Sequence, residues 1–419
     1  MSASHSRRNI ICHSLDGVFF FAALIMFSRE VIIPAMIQEL TDSVLLVGLV
    51  PTIVWIGIIA PQVLYAKRIE GLGYKKRTVL LWVLFQRIGW LVFLVSLLVW
   101  WGPVFTLTVF FVTQTANSLG SGFLIPVWTD WYAKTVPESM WGRLLGYRRA
   151  IPGAVGLGLG FVIDHVMETC TAPLRYQVLA GCAVLFYALS ALCVALVHEE
   201  PEDGLPHQRE VSWRDYLGDV SGILVGRLDF RRFMIASLLT CVPLTVTIAF
   251  LTRYGLEYPG VSEAIGGTFT RVMFVASAAG ALLGGTITDR WNALVPFRVF
   301  PLFGLGAAGI AFVTAHPAAL TVAFALYGFA FGVRMVVLLP AVFRYAGPER
   351  RPTYTAVSFT VLSLPSAVLP PVLGLMLDAN LLGFPVVFLL CAVTSLFGWA
   401  LFLGMPAPRP PDAVTEAKQ

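Results

Sequence analysis

Six ionisable side chains sit inside long apolar runs of this sequence: Asp16, Arg29, Glu30, Arg87, Arg271 and Arg334. An ionisable group in hydrocarbon costs several kcal/mol unless it is paired or wet, so each needs a chemical reason. Arginines outnumber acids four to two in this set. A wet cavity with surplus guanidinium favours an anionic or zwitterionic ligand, held through charge-assisted and often bidentate hydrogen bonds. Arg334 is the leading ligand contact, and Arg29 is a second candidate. A carboxylate in low dielectric can hold a proton near neutral pH, as a proton carrier must, and Glu30 and Asp16 are the candidates. The competing readings are a structural ion pair for Glu30 and simple solvation near the membrane surface for Asp16. Arg87 reads better as a structural pair, and Arg271 can snorkel to the surface.

Neutral polar groups extend this set. Gln114, Asn117 and Ser121 recur at i, i+3 and i+7, a polar stripe on one helix face. Tyr327, Phe331 and Arg334 follow similar spacing, and Thr240, Thr245 and Thr247 cluster in another run. Asp16 and Glu30 are 14 residues apart, which at 100° per residue leaves them about 40° from a shared azimuth. No P-loop, HExxH or GxSxG motif is present, so no catalytic constellation and no cofactor are expected. The six cysteines form no CxxC pair, and no Cys/His cluster has metal-ligand spacing, so they read as small buried hydrophobes.

The elements that must position these groups follow from composition. Of 419 residues, 57% are hydrophobic and 13% charged, and mean hydropathy is +0.79. That leaves too little polar surface for a soluble enzyme, a nucleic-acid-binding domain or a disordered chain. Spans of about 20 apolar residues cross a bilayer, and long runs in a single chain satisfy their backbone only as helices. Twelve such spans are expected, roughly at 12–38, 44–66, 78–101, 103–129, 145–164, 174–197, 232–253, 264–287, 295–315, 318–343, 354–377 and 384–404. The predicted fold is thus an all-α membrane protein. It has a tail (1–11), a six-helix bundle (12–197), a central loop (198–231), a second six-helix bundle (232–404) and a C-terminal tail (405–419). The first apolar run does not end in a small-residue cleavage site, so no removable signal peptide is expected.

With the N-terminus in the cytoplasm, 23 of the 29 basic residues fall in the inner tails, loops and adjoining span ends, Arg175 and Arg253 fall on the outer side, and Arg29, Arg87, Arg271 and Arg334 lie within spans. The positive-inside rule therefore puts both termini in the cytoplasm, and the cell (inner) membrane is the expected location. In the central loop, Trp213, Tyr216, Leu217, Val220, Ile223 and Leu224 recur at helical spacing, which predicts an amphipathic helix on the inner surface.

The two halves share features. Gly160–Asp164 and Gly374–Asp378 are both G-x-x-x-D, 214 residues apart, and Pro137-Glu138 and Pro348-Glu349 are 211 apart. The loops after spans 2 and 8 add a third correspondence. The first reads Ala66-x-x-x-Glu70-Gly71-Leu72-Gly73-Tyr74-Lys75-Lys76, and the second Gly285-Thr-Ile-Thr-Asp289-Arg290-Trp291-Asn292. Both are degenerate copies of G-x-x-x-[DE]-[RK]-x-G-x-[RK]-[RK], and what one lacks the other keeps. With twelve spans and a long central loop, the chain resembles the major facilitator superfamily over nearly its whole length.

The resemblance implies two six-helix bundles around a midplane cavity lined by spans 1, 4, 7 and 10, and secondary transport by alternating access. It implies a gating role for Glu70, Gly73, Lys75, Gly285, Asp289 and Arg290, with Asp130 a further member of that network. Physically, an acid at such a loop accepts a helix N-terminus or a basic partner, and glycine there admits a neighbouring helix. Small-residue stripes in span 5 (Gly153 to Gly160) and span 8 (Ala276, Gly280, Gly284) are expected to face each other, and Pro51, Pro61, Pro365, Pro370 and Pro371 to bend spans 2 and 11. The solute expected is a small organic anion or zwitterion bound by Arg334, Asn117, Gln114, Tyr327 and Arg29, with protons for coupling through Glu30 or Asp16. The other expected partners are membrane lipid and no nucleic acid, and the chain is expected to act as a monomer. Export of amphipathic or apolar compounds is the alternative within transport. A non-transporting sensor or assembly protein is the alternative outside it.

Overall fold

The computed structural model describes residues 3–28, 32–41, 44–69, 72–201, 218, 222–256 and 265–406, and among these the regular elements are helices with no strand. They are α1 (Ala3–Met26), α2 (Ile32–Leu40), α3 (Val44–Ile69), α4 (Lys76–Val99), α5 (Pro103–Thr135), α6 (Trp141–Thr169), α7 (Leu174–Leu196), α8 (Leu228–Leu256), α9 (Ile265–Arg290), α10 (Val295–Val313), α11 (Pro317–Asp378) and α12 (Phe384–Leu403). Nine helical stretches among the described residues are long and apolar enough to cross a membrane, and one of them, Pro317–Leu377, is 61 residues long. At 1.5 Å per residue that stretch suffices for two crossings of a hydrocarbon core about 30 Å thick.

Two elements differ from the expected spans. The first span is broken: α1 ends at Met26 and α2 begins at Ile32, with Ile33 N–H donating to the Ser28 carbonyl at 2.9 Å. The tenth and eleventh spans join as α11, interrupted by Gly347 at φ 68°, ψ 170°. This left-handed backbone suits glycine, and Pro348 follows it, pre-set for the first turn of a new helical segment. The amphipathic helix expected in the central loop falls largely on 202–217 and 219–221, outside the described residues.

The chain forms two compact units, one of residues 1–137 and 151–207, the other of 138–150 and 208–419. In the first, α1 packs on α7, α3 on α5, and α4 on both α5 and α7. Its core joins Phe27, Trp90, Phe93, Phe110, Tyr176 and Tyr187. A smaller cluster around Cys12, Val79, Val83, Val127, Trp131 and Val194 closes the end near the α3–α4 loop. In the second, α9 packs on α11, α10 on α11 and α12, and α8 on α11 and α12.

Helix α4 shows how burial is apportioned. Val79, Val83, Gln86, Trp90, Phe93 and Leu97 are buried, while Leu81, Leu84, Ile88, Leu91, Val95 and Leu98 are exposed. Both sets advance by alternating steps of three and four, so each is one face of the same helix. Apolar side chains on the outward face are stable only against lipid.

Candidate functional site

In the first unit a polar network threads the apolar core. Asp16 on α1 is buried and accepts a hydrogen bond from Ser190 Oγ on α7 at 2.6 Å. Arg87 on α4 donates through Nη2 to the same Ser190 oxygen at 3.0 Å and through Nη1 to Gln86 Oε1 at 2.8 Å. Its guanidinium lies 5.2 Å from the Phe20 ring centroid and 4.8 Å from that of Tyr187. Gln86 Nε2 in turn donates to Ser121 Oγ on α5 at 2.5 Å. Four helices thus share one chain of polar contacts running from a carboxylate to a neutral hydroxyl. The hydroxyl of Ser190 bridges the acid and the guanidinium, giving each buried charge a polar partner. Asp16 is buried rather than solvated at a surface, and Arg87 has the structural partners its position on α4 suggested.

The stripe on α5 faces α4. Gln114, at 3% exposure, places its amide 3.4 Å from Ser118 Oγ, and Ser121 Oγ also donates to the Asn117 carbonyl at 2.8 Å. Gln114 and Asn117 border a small recess with Gly89, Trp90, Phe93, Phe110 and Thr113. Arg29 and Glu30 lie outside the described residues, as does Glu70.

At the α3–α4 loop of the same unit the first motif copy meets the ends of α5 and α7. Lys75 Nζ lies 2.9 Å from Asp130 Oδ2, both side chains being almost wholly buried. Lys134 donates to the Gly73 carbonyl at 2.6 Å and to Glu199 Oε1 at 3.0 Å. Glu199 also accepts the backbone N–H groups of Lys75 at 2.9 Å and Lys76 at 2.7 Å. A buried carboxylate on the first amides of a helix satisfies orphan donors and complements the helix dipole. Gly73, Lys75 and Asp130 are therefore brought together, and Lys134 and Glu199 complete the cluster.

In the second unit the acid of the other motif copy does the equivalent for α6. Asp289 Oδ1 accepts Gly142 N–H at 2.7 Å, and Oδ2 accepts Arg143 N–H at 2.7 Å, with Arg143 Nε 3.4 Å from the same oxygen. A Cβ at Gly142 would lie 2.5 Å from the Gly285 carbonyl oxygen, and one at Gly146 2.7 Å from that of Ala281. The glycines on α6 that admit α9 are thus Gly142 and Gly146. Gly158 and Gly160, in the expected stripe, have no atom within 4 Å of an added Cβ, and Gly156 meets Ile25. On α9, Gly280 and Gly284 face Phe329 and Val333 of α11, where Gly328 and Gly332 reciprocate against Met273 and Ser277. The α9 stripe therefore serves its own unit's helix pair, a small-residue contact driven by close backbone approach. Arg290 and Arg271 are exposed, and Arg271 Nη2 reaches Thr268 Oγ1 at 3.3 Å.

Tyr327 is buried and stacks on Phe331, centroids 5.8 Å apart. Two turns along α11 from Tyr327, Arg334 keeps a buried Nε with no hydrogen-bond partner. Thr240 and Thr245 on α8 return their hydroxyls to the carbonyls of Ala236 and Cys241. The set of metal-ligating side chains grouped among the described residues is His5, His198 and Glu200, at the start of α1 and beyond α7.

Sequence reading missed Ser190, Gln86, Lys134 and Glu199. Gln86 carried a signal, as a second polar residue next to Arg87 in an apolar run. Glu199 carried one as an acid at the very end of a span. Ser190 carried none, since serine is common in membrane helices.

Many apolar helices with lipid-type outward faces, buried charge networks and paired acid-bearing loops define a multi-pass membrane protein. Residues 18–370 match the family model described as Major Facilitator Superfamily. The chain belongs to that superfamily of transporters. Among solved structures it is similar to FucP, a transporter of that superfamily, in the outward conformation, at 16% identity and TM-score 0.74, covering 96% of this chain and 100% of that one. It is similar to the human organic anion transporter MFSD10 (TETRAN) at 15% identity and TM-score 0.75, covering 95% and 99%. It is also similar to the proton:xylose symporter XylE at 13% identity and TM-score 0.72, covering 98% of each chain. No curated protein matches the sequence.

Proposed function

We propose that this protein carries a small organic anion or zwitterion across the cell membrane by alternating access, with protons as the coupling ion and both termini in the cytoplasm. It is read as a transporter rather than an enzyme, acting as a monomer and needing no cofactor. The observation that carries the solute class is Arg334, whose Nε is buried in α11 without a hydrogen-bond acceptor. A guanidinium in a membrane domain requires a counterpart, and a ligand carboxylate or phosphate supplies one. Tyr327 on the same helix offers an aromatic wall. Asp16 is our candidate for proton coupling, and its link through Ser190 to the fixed charge of Arg87 supports that reading. Two of the structural relatives named above fit this reading in kind, one being a proton symporter and one an organic anion transporter.

The test is flux in proteoliposomes under an imposed pH gradient, with carboxylates, amino acids, neutral sugars and amphipathic cations as solutes. Accumulation of an anionic or zwitterionic solute is expected, falling about tenfold or more in Arg334→Gln, as for loss of one hydrogen bond to a charged group. Flux of amphipathic or uncharged compounds alone would overturn the solute class in favour of export. Absence of flux for every solute would favour a sensing or assembly role.

A further inference from the structure

We propose that His5, His198 and Glu200 form a binding site for a divalent transition metal of the zinc type, joining the start of α1 to the segment that leaves α7. One ligand atom from each residue lies within 4.8 Å of the others. The His5 and His198 ring centroids are 4.1 Å apart, and His5 Nδ1 is 4.0 Å from Glu200 Oε1. Tetrahedral zinc with bonds of about 2.0–2.1 Å needs ligand atoms roughly 3.3 Å apart. Side-chain rotation has to close at most about 1.5 Å, and the His5 and Glu200 side chains, 40% and 49% exposed, have room to make it.

The backbone explains why these three residues meet. Val197, just beyond α7, leaves the helix with extended backbone at φ −62°, ψ 135°. Glu199 is buried while His198 is half-buried and Glu200 exposed, so Glu199 turns inward and its two neighbours outward. Glu199 is held there by Lys134 and by the Lys75 and Lys76 amides. His198 is fixed at its backbone, where its N–H donates to Asn9 Oδ1 at 2.8 Å and its carbonyl accepts Asn9 Nδ2 at 2.8 Å. Asn9 lies one helical turn beyond His5 on α1, so the same contact that fixes His198 sets the height of His5 beside it. The guanidinium of Arg8 is meanwhile occupied by the Leu196 carbonyl, at 2.9 and 2.7 Å.

Two imidazoles and a carboxylate select a borderline first-row ion such as Zn²⁺ over Mg²⁺ or Ca²⁺, which prefer oxygen donors alone. Three protein ligands leave a coordination position for water, so the ion exchanges with solution. Sequence spacing hid the set, because 193 residues separate His5 from His198.

Calorimetric titration of the purified, tag-free full chain in detergent with ZnCl2 tests the site. One Zn²⁺ per chain is expected, with binding lost in His198→Ala and about tenfold or more weaker in Glu200→Gln. MgCl2 should give no heat. As a check independent of folding losses, Zn²⁺ should raise the thermal midpoint of the natural protein but not of His5→Gln, whose metal-free midpoint should match it. No Zn²⁺ bound by the natural chain, or unchanged stoichiometry and affinity in both His198→Ala and His5→Gln, would overturn the assignment.

Discussion

Asp289 accepts the backbone N–H of Gly142 at 2.7 Å, although 147 residues separate them in the chain. The contact needs both partners as they are: an acid at the end of α9, and a residue without a side chain at the start of α6. Removing the carboxylate leaves two helix-terminal donors unsatisfied. Asp289→Ala should cost about 0.5–2 kcal/mol, the range for loss of a helix cap, and Asp289→Asn less. Thermal unfolding in detergent measures the first effect. Because the resemblance gives this acid a gating role, transport should fall more than stability does in Asp289→Asn.

Gly285 makes a steric prediction of opposite kind. A Cβ there would run into the Gly142 carbonyl oxygen and lie 2.7 Å from its carbon. Both are backbone atoms and neither can rotate away. Gly285→Ala should destabilise by about 1–3 kcal/mol, as overpacking does. Gly158→Ala, where an added Cβ meets nothing within 4 Å, should be neutral or slightly stabilising in the same unfolding assay.

Lys75 and Asp130 form a buried pair at 2.9 Å. Removing one partner strands the other charge away from water, at a cost of about 3–5 kcal/mol. Lys75→Ala and Asp130→Ala should each be strongly destabilising, and the double variant milder than the sum of the two. A double-mutant cycle on unfolding free energy reads this coupling directly.

Asp16 and Arg87 meet at one hydroxyl. With Asp16 as the proton site, Asp16→Asn should abolish accumulation driven by a pH gradient and spare exchange of labelled for unlabelled solute. Ser190→Ala, which removes the bridge and keeps both charges, should shift the pH dependence of uptake with a smaller loss of rate. Equal loss of both transport modes in Asp16→Asn would show a structural role instead.

Arg334→Lys separates charge from shape. Lysine keeps the cation and loses the planar fork, so affinity for an anionic solute should recover only in part relative to Arg334→Gln. Concentration dependence of uptake measures the difference.

The all-helical membrane fold was legible from apolar run lengths alone, and the superfamily from two degenerate loop motifs whose retained parts complement each other. The boundaries of α11 were not. Gly347-Pro348 reads as an ordinary loop signal, yet helix runs up to it and on beyond it. Which face of a helix is buried was also hidden. On α4, leucine and valine occupy both faces, because lipid and protein core are equally apolar solvents. The Gln114 stripe was visible as a stripe, but nothing in its spacing says that α4 is its neighbour. Lys75 and Asp130 were each visible as charges near loop ends. Their pairing was not, since it depends on where α5 ends against the α3–α4 loop.

The break at Gly347 has a further consequence. The helical turns on either side of it are linked through one residue of special backbone, without a loop to absorb errors in length. A deletion or insertion of one residue there would rotate every downstream side chain of α11 by about 100°. Outward-facing positions such as Leu364, Leu369 and Leu375, all exposed, would swing toward the unit's own core. This junction is therefore poorly able to tolerate a change in length, and a natural point at which to ask how strictly helix phase is inherited across a membrane protein.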